Sequence, residues 1–162
     1  MTVIDIGGGA TDRLYSWDHP TYSVVEQDNP ANDTGVLDTM EFWFKTSSTG
    51  LKCGTFSYVA TGKCTYRAHA NIGAVTAGSK QTFTGLSVAV TANDLLGYKI
   101  ADGEMEWGPS STVCWALTGD HFIAEGEKTY VTQGSYSSSM NATGATIDAQ
   151  PFVRFYPHIL AH

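Results

Sequence analysis

The chain alternates short β-type segments with dense turn signals, and no window shows the periodicity of a helix. The clearest segment is VLDTMEFWFKT, residues 36–46, in which apolar and polar side chains alternate. Such alternation is typical of a β-strand that buries one face. We expect the core to meet the face that carries Val36, Asp38, Met40, Phe42 and Phe44, and Leu37, Thr39, Glu41 and Trp43 to face away.

Turn sequences divide the rest of the chain in the same way. DNPAND, TGK, TAGS and TAND each lie between apolar runs, and TGK is centred in a predicted hairpin. About ten to twelve strands result, including FVRFYPHIL near the C-terminus, whereas SYSSSMNATG is predicted to be a polar loop. The pattern predicts an all-β fold, an antiparallel β-sandwich of jelly-roll type.

The length of 162 residues fits one domain. Residues 1–12 form a predicted N-terminal strand and glycine hinge. Residues 13–162 form the predicted single β-sandwich domain.

The charge of the chain excludes two classes of partner. Nine Lys and Arg residues against sixteen Asp and Glu residues give a net charge of −7, and no basic cluster occurs. Nucleic acid and anionic membrane surfaces are therefore poor partners. No apolar run is long enough for a transmembrane helix, so we expect no membrane insertion. The N-terminus lacks a leader pattern, which fits a virion protein or an already mature chain.

The stretch VIDIGGGATD, residues 3–12, resembles the phosphate-binding loop of the actin, Hsp70 and sugar-kinase superfamily. That resemblance implies nucleotide binding through glycine amides. The superfamily, however, needs two α/β lobes, about twice this length, and its second phosphate loop has no counterpart here. We therefore expect no nucleotide cofactor.

A second interpretation treats the same stretch as an assembly arm. The apolar residues Val3, Ile4 and Ile6 are joined to the body by Gly7, Gly8 and Gly9, which give the backbone wide freedom. Such a strand can fold back onto its own sheet or pair with the sheet edge of a neighbouring subunit. Both outcomes stay open at this stage.

The three cysteines do not form an obvious framework. Cys53 and Cys64 flank the predicted hairpin, so either they form a disulfide or they are two reduced, half-buried side chains. Cys114 is predicted to lie in the core.

Catalytic and metal motifs are weak. No nucleophile or zinc motif occurs, and Glu104 and Glu106 alternate on one predicted strand rather than facing each other across a cleft. We expect no enzyme activity. Asp28, Asn32 and Asp33 are candidate calcium ligands, although the same residues suit a tight turn without an ion.

Carbohydrate binding has more support. Trp107 lies beside a predicted turn and is a candidate platform for glycan stacking, although such a residue is more often part of a core or interface. Two glycosylation sequons occur, at Asn32 and at Asn141, and Asn141 is the better acceptor because its loop is predicted to be exposed.

Three stretches together carry a family resemblance: YSVVEQDNPANDTGVLDTMEFWF, CGTFSYVATG and IGAVTAGSKQTFTGLSVAVTANDLLGYKI. They resemble a loose group of uncharacterised β-sandwich proteins of phage and environmental (metagenomic) origin. In that group the chain begins with Ile-Gly and then Ala-x-Asp-Arg, positions filled here by Ile6, Gly7, Ala10, Asp12 and Arg13. The resemblance spans residues 3 to 107 and implies a secreted or virion-associated structural module.

These observations predict a non-enzymatic structural subunit that assembles with itself into an extracellular or virion fibre, filament or decoration layer. Strand exchange through residues 1–9 is a candidate route for this assembly. The alternative is a lectin-like module that recognises surface glycans. No cofactor is expected for either function.

Overall fold

The computed structural model describes residues 1–147, so the predicted strand FVRFYPHIL at residues 152–160 lies outside the described residues. None of the described residues is helical. Within this part of the chain, no helix has the length and apolar character needed to span a membrane.

Thirteen strands occupy most of the described residues, each in a segment where β-branched, aromatic or small side chains alternate between two environments. In chain order they are β1 Val3–Ile6, β2 Tyr15–Trp17, β3 Tyr22–Glu26, β4 Gly35–Thr46, β5 Ser48–Ala60, β6 Lys63–Val75, β7 Lys80–Phe83, β8 Val88–Val90, β9 Leu95–Lys99, β10 Glu104–Thr118, β11 Glu127–Thr129, β12 Val131–Ser138 and β13 Met140–Thr146.

The strands join into one open sheet with the order β1-β13-β4-β10-β3-β9-β5-β6-β11. Strands β2 and β12 add to β10, and β7 and β8 add to β4. Every strand pair among the described residues is antiparallel. The predicted all-β, antiparallel class is confirmed, and the jelly-roll sandwich stays a prediction.

The sheet curls so that distant strands share one core. The hydroxyl of Thr55 on β5 donates to the carbonyl of Ala89 on β8 at 2.7 Å, although these strands are not paired in the sheet. The main core cluster combines Ile4 and Phe42 from one end of the sheet with Leu96 and Tyr98 from its middle. Burial of apolar side chains from both regions is therefore the principal stabilising contribution.

Strand β4 confirms most of the predicted alternation but departs from it near its start. Met40, Phe42 and Phe44 are fully buried, as predicted, whereas Leu37 is buried and Asp38 is exposed. The register with β13 shifts by one residue, because Thr143 pairs with Thr39 and Gly144 with Leu37. This β-bulge reverses the facing of the strand before residue 39. The prediction that Leu37 faces away from the core is therefore wrong.

The hairpin of β5 and β6 is confirmed, and of the two alternatives for Cys53 and Cys64 the structure has the reduced side chains. Cys53 pairs with Ala70 and Cys64 with Tyr58, so the two cysteines occupy positions six residues apart along β6. That spacing corresponds to about 20 Å, whereas a disulfide needs Cα atoms within about 7 Å. Both thiols are free and buried. Burial raises the pKa of both, that of Cys64 to about 12, so they stay protonated and unreactive.

The predicted polar loop SYSSSMNATG is also wrong, because its residues belong to β12 and β13. Ser137, Ser138 and Ser139 are buried where these strands meet. Asn141 pairs with Glu41 inside the sheet and is only half exposed, so the expectation of an exposed acceptor loop fails. Small hydroxyl side chains fit between closely packed strands, which the loop prediction overlooked.

Candidate functional site

Strand β1 is docked in its own chain rather than extended as an arm. It pairs with β13 from Val3↔Ala145 to Ile6↔Ala142. Ile4 and Ile6 are fully buried in the main core, whereas Val3 is exposed. Of the two outcomes that the sequence left open, the structure has the strand folded back.

The outer edge of β1 is covered by the DNPAND turn. The Asn32 side chain accepts the Asp5 amide at 2.9 Å and donates to the Val3 carbonyl at 3.1 Å. It thus occupies the place of a peptide group in a neighbouring strand. The Asn29 carbonyl likewise accepts the Gly7 amide at 3.0 Å. Edge strands are commonly protected in this way against pairing with other chains.

Backbone amides in the glycine loop that follows β1 also donate to groups of the same chain. The Gly9 amide donates to the Met140 carbonyl at 3.0 Å, and the Ala10 amide donates to Asn141 Oδ1 at 3.1 Å. The Thr11 amide donates to Ser139 Oγ at 2.8 Å. A phosphate-binding loop needs such amides free to meet the anion. We call residues 3–13 the N-terminal clamp, because they are fastened across β13 and β12.

The surface beside the clamp is a shallow depression of about 600 Å³. Its walls carry the carboxylates of Asp5, Asp28 and Glu41 and the single ammonium group of Lys80. Burial alone would raise the pKa of Glu41, but hydrogen bonds from Lys80 and Thr82 hold the pKa below its ordinary value. An excess of negative charge repels phosphate, which further disfavours nucleotide binding.

The three calcium candidates do not converge on one point. Asp28 lines the depression, Asn32 is bound to β1, and Asp33 accepts the amide of its neighbour Thr34 at 2.8 Å. In residues 1–147, no group of three or more His, Cys, Asp or Glu side chains could hold a metal ion. The Asx residues act here as turn formers and as the cap of β1.

A buried polar strip, formed by Glu26, Ser137 and Ser138, underlies the clamp. Glu26 on β3 is 1% exposed, and its Oε1 accepts the hydroxyl of Ser138, whereas its Oε2 has no partner among the described residues. Burial raises the pKa of Glu26 to about 7, against the opposing hydrogen bond from Ser138. Next to it, a Cβ added at Gly8 would lie 1.9 Å from Ser137 Oγ, so the loop packs directly on the strip.

The carboxylates of Glu104 and Glu106 on β10 have structural partners. Glu106 is buried and accepts the Arg13 amide at 2.6 Å, and Glu104 accepts the hydroxyl of Ser16. Arg13 in turn donates to the Gly8 carbonyl at 2.9 Å. These contacts fasten the end of the clamp to β10.

A continuous group of aromatic rings lies where the clamp leads into β2. Pairing of β2 with β10 places Tyr15 opposite Trp107, and pairing of β12 with β10 places Tyr136 opposite Pro109. Trp17, opposite Met105, packs partly against the main core. We call this group the aromatic row; its members are Tyr15, Trp107, Tyr136, Trp17, His19 and Tyr22.

Each ring of the aromatic row contacts the next. Tyr15 and Trp107 stack with centroids 4.6 Å apart and planes 20° apart. The ring centroids of Trp107 and Tyr136 are 4.2 Å apart, and Tyr136 packs edge to face on Trp17 with centroids 6.1 Å apart. His19 continues the row from Trp17, at 3.8 Å, to Tyr22, at 5.4 Å. Such offset and edge contacts stabilise ring pairs beyond their buried area.

The imidazole in the aromatic row adds no positive charge to this surface. Burial lowers the pKa of His19 against the opposing charge of Asp18, so the imidazole is uncharged at neutral pH. Tyr15 is 48% exposed, whereas Trp107 is half-buried between two rings. The predicted stacking residue Trp107 is thus a support for Tyr15, which offers the more accessible ring.

Sequence reasoning identified only one member of the aromatic row. Trp107 and Tyr136 are far from residues 15–22 along the chain. Only the pairing of β2 and β12 with β10 brings their rings together with Tyr15. The alternation in YSW and in EMEW was the available signal, because it places Tyr15 with Trp17 and Met105 with Trp107 on common faces.

No known family model matches the chain, and a search of curated proteins finds no match either.

Proposed function

We propose that this protein is a non-enzymatic binding module that recognises neutral glycans through the aromatic row. One observation carries the proposal: six rings contact one another in an unbroken series, and Tyr15 at one end is 48% exposed. Sugars bind proteins largely by laying their C–H faces on aromatic rings, with polar groups around the rim.

The surroundings of Tyr15 fit this role. Leu14, which precedes Tyr15 in the chain, is 89% exposed. The stacked Trp107 holds the Tyr15 ring in place, so little side-chain entropy would be lost on binding. A location outside the cell or on a virion is part of this proposal, because surface glycans are found there.

The test is a glycan array probed with the full chain and three variants. We expect retention of a subset of neutral glycans, lost in Tyr15→Ala and largely kept in Tyr15→Phe, which preserves the ring. Val59→Ala is the matched control, since Val59 is 47% exposed and lies on β5. Absence of retained neutral glycans, or equal retention by Tyr15→Ala, would refute the proposal.

A second candidate is the self-assembling structural subunit of a fibre, filament or decoration layer. It is supported by exposed apolar side chains at the β1–β13 end of the sheet, where Val3 is 68% and Ile147 is 71% exposed. The contact would be between faces of subunits, because the hydrogen bonds of β1 to β13 and to Asn32 oppose strand exchange. Phage or environmental origin agrees with this alternative.

Sedimentation velocity and negative-stain microscopy over a range of concentrations test the second candidate. Self-assembly predicts larger species that the double variant Val3→Lys, Ile147→Lys abolishes. Monomers at every concentration would eliminate this candidate and leave the glycan proposal unaffected.

A further inference from the structure

A second concave surface lies away from the aromatic row, between the end of β3, the end of β5 and the start of β9. Its volume is about 450 Å³, within the range of ligand pockets. None of its lining side chains is charged. We call it the Tyr58 pocket; it is lined by Gln27, Pro30, Tyr58, Asn93 and Leu95.

One wall of the pocket is a supported aromatic ring. Tyr58 is 46% exposed, and it stacks on the fully buried Trp115 with centroids 6.1 Å apart and planes 21° apart. Trp115 belongs to the second core cluster together with Leu95. The exposed ring is thus fixed from behind by the core, which suits it to stack against a ligand.

One side chain that lines the pocket carries an unused donor. Gln27 Nε2 is covered and has no hydrogen-bond partner among the described residues. A covered donor without an acceptor is destabilising, so a ligand that supplies an acceptor would gain a hydrogen bond there. Pro30 and Leu95 provide apolar surface in the same pocket.

The two turns that border the pocket are fastened to each other. The Asn93 amide donates to the Ala31 carbonyl at 2.8 Å, and the Ala31 amide donates to the Asp94 carbonyl at 2.9 Å. The buried Asp94 carboxylate binds the guanidinium of Arg67 through both oxygens. Asn93 has φ +70°, an uncommon conformation for a residue other than glycine. The pocket is therefore built in advance of any ligand.

We propose that the Tyr58 pocket binds an N-acetylated hexosamine residue. The Gln27 side-chain amide would turn toward the pocket and donate to the acetamido carbonyl, and the acetamido methyl would lie against Pro30 and Leu95. The sugar ring would stack on Tyr58, and the absence of lining charge favours a neutral ligand. This inference goes beyond the aromatic row, since the Tyr58 pocket contains different residues and its ligand binding can be tested independently.

The test is an NMR titration of the isotope-labelled full chain with N-acetylglucosamine and, as the comparison sugar, glucose. We expect N-acetylglucosamine to shift the Gln27 side-chain amide and the Tyr58 ring signals. Glucose lacks the acetamido group, so it should bind at least about tenfold more weakly. Tyr58→Ala and the nearly isosteric Gln27→Glu should each weaken binding by about tenfold or more.

Val59→Ala is the matched control, because Val59 has almost the same exposure as Tyr58, follows it on β5 and does not line the pocket. It should leave N-acetylglucosamine binding within about twofold of the wild type. Three results would each overturn the inference: no shift at Gln27 up to the solubility limit of the sugar, equal responses to the two sugars, or unchanged affinity in Gln27→Glu. Loss of binding in Tyr15→Ala alone would move the site to the aromatic row.

Discussion

The N-terminal clamp and the aromatic row use conspicuous residues in opposite ways. In the clamp, the Gly9, Ala10 and Thr11 amides donate to groups of the same chain, and Asn32 covers the edge of β1. In the aromatic row, Tyr15 remains about half exposed although its neighbours are packed. The difference indicates that the clamp holds the fold together and that the aromatic row is available to a partner.

The largest effect should come from the apolar side of the clamp. Ile4→Ala and Ile6→Ala each remove a fully buried side chain from the main core, which costs about 2–5 kcal/mol in the free energy of unfolding. The combined loss in the double variant should therefore approach the whole free energy of unfolding of a small domain. Urea denaturation measures the loss, and Val3→Ala, at an exposed position of the same strand, should change stability by less than about 0.5 kcal/mol.

The polar strip under the clamp should make stability depend on pH. The folded-state pKa of Glu26, about 7, lies above its ordinary value of 4.5, so the folded protein holds the proton more tightly than the unfolded chain. This contribution is complete below pH 4.5 and is lost as the pH rises through 7. Glu26→Gln should therefore be more stable than the wild type at pH 8, by about 3 kcal/mol, with no such gain at pH 4.

Urea denaturation at the two pH values gives that comparison directly. Glu127→Gln on the exposed strand β11 is the control, with changes below about 0.5 kcal/mol at either pH. Equal stabilities of wild type and Glu26→Gln at pH 8 would mean that the Glu26 carboxylate is solvated, and that the strip is not a closed interior.

A smaller effect is expected at the cap of β1. Asn32→Ala removes partners of the Asp5 amide and the Val3 carbonyl, but water can replace them at this exposed site, so the cost should be about 1 kcal/mol. Hydrogen exchange at the Asp5 amide should accelerate by about fivefold, since about 1 kcal/mol corresponds to that factor. Asp33→Ala in the same turn should leave this amide unchanged, and similar exchange in both variants would contradict the role of Asn32 as a cap.

The smallest effect on stability is expected in the aromatic row. Tyr15→Ala should lower the free energy of unfolding by no more than about 1 kcal/mol, because the ring is half exposed and loses mainly its stacking on Trp107. Thermal unfolding of Tyr15→Ala measures the stability loss, and the glycan array measures the loss of binding in the same variant. A large loss of stability in Tyr15→Ala would make the aromatic row another structural element and remove its contrast with the clamp.

Sequence reasoning reached the class of the fold, because alternation and turn residues act locally. The strands around Phe42 and the hairpin at Gly62 needed no information from elsewhere in the chain. The sequence-based prediction was wrong where pairing with a distant strand decides which way a side chain faces. The bulge that turns Leu37 inward depends on β13, and the cysteine positions depend on the register of β5 with β6.

The candidate sites were harder to predict for the same reason. Gly7, Gly8 and Gly9 have the composition of a phosphate loop. Only the folded chain shows that the Gly7 amide donates to the Asn29 carbonyl and the Gly9 amide to the Met140 carbonyl. The aromatic row is likewise a product of strand order. Residue type indicated which groups were unusual, and long-range pairing decided which of them met.

The most direct test of the contrast is one NMR titration that follows both regions in the same spectra. The isotope-labelled chain would be titrated with cellohexaose, chitohexaose, maltohexaose and mannohexaose, and separately with magnesium–ATP. Our account predicts that at least one hexasaccharide shifts the indole signals of Trp107 and Trp17, while the amides of Gly7, Gly8 and Gly9 respond to neither class of ligand. Shifts of those glycine amides with magnesium–ATP, together with indole signals that respond to no sugar, would contradict it.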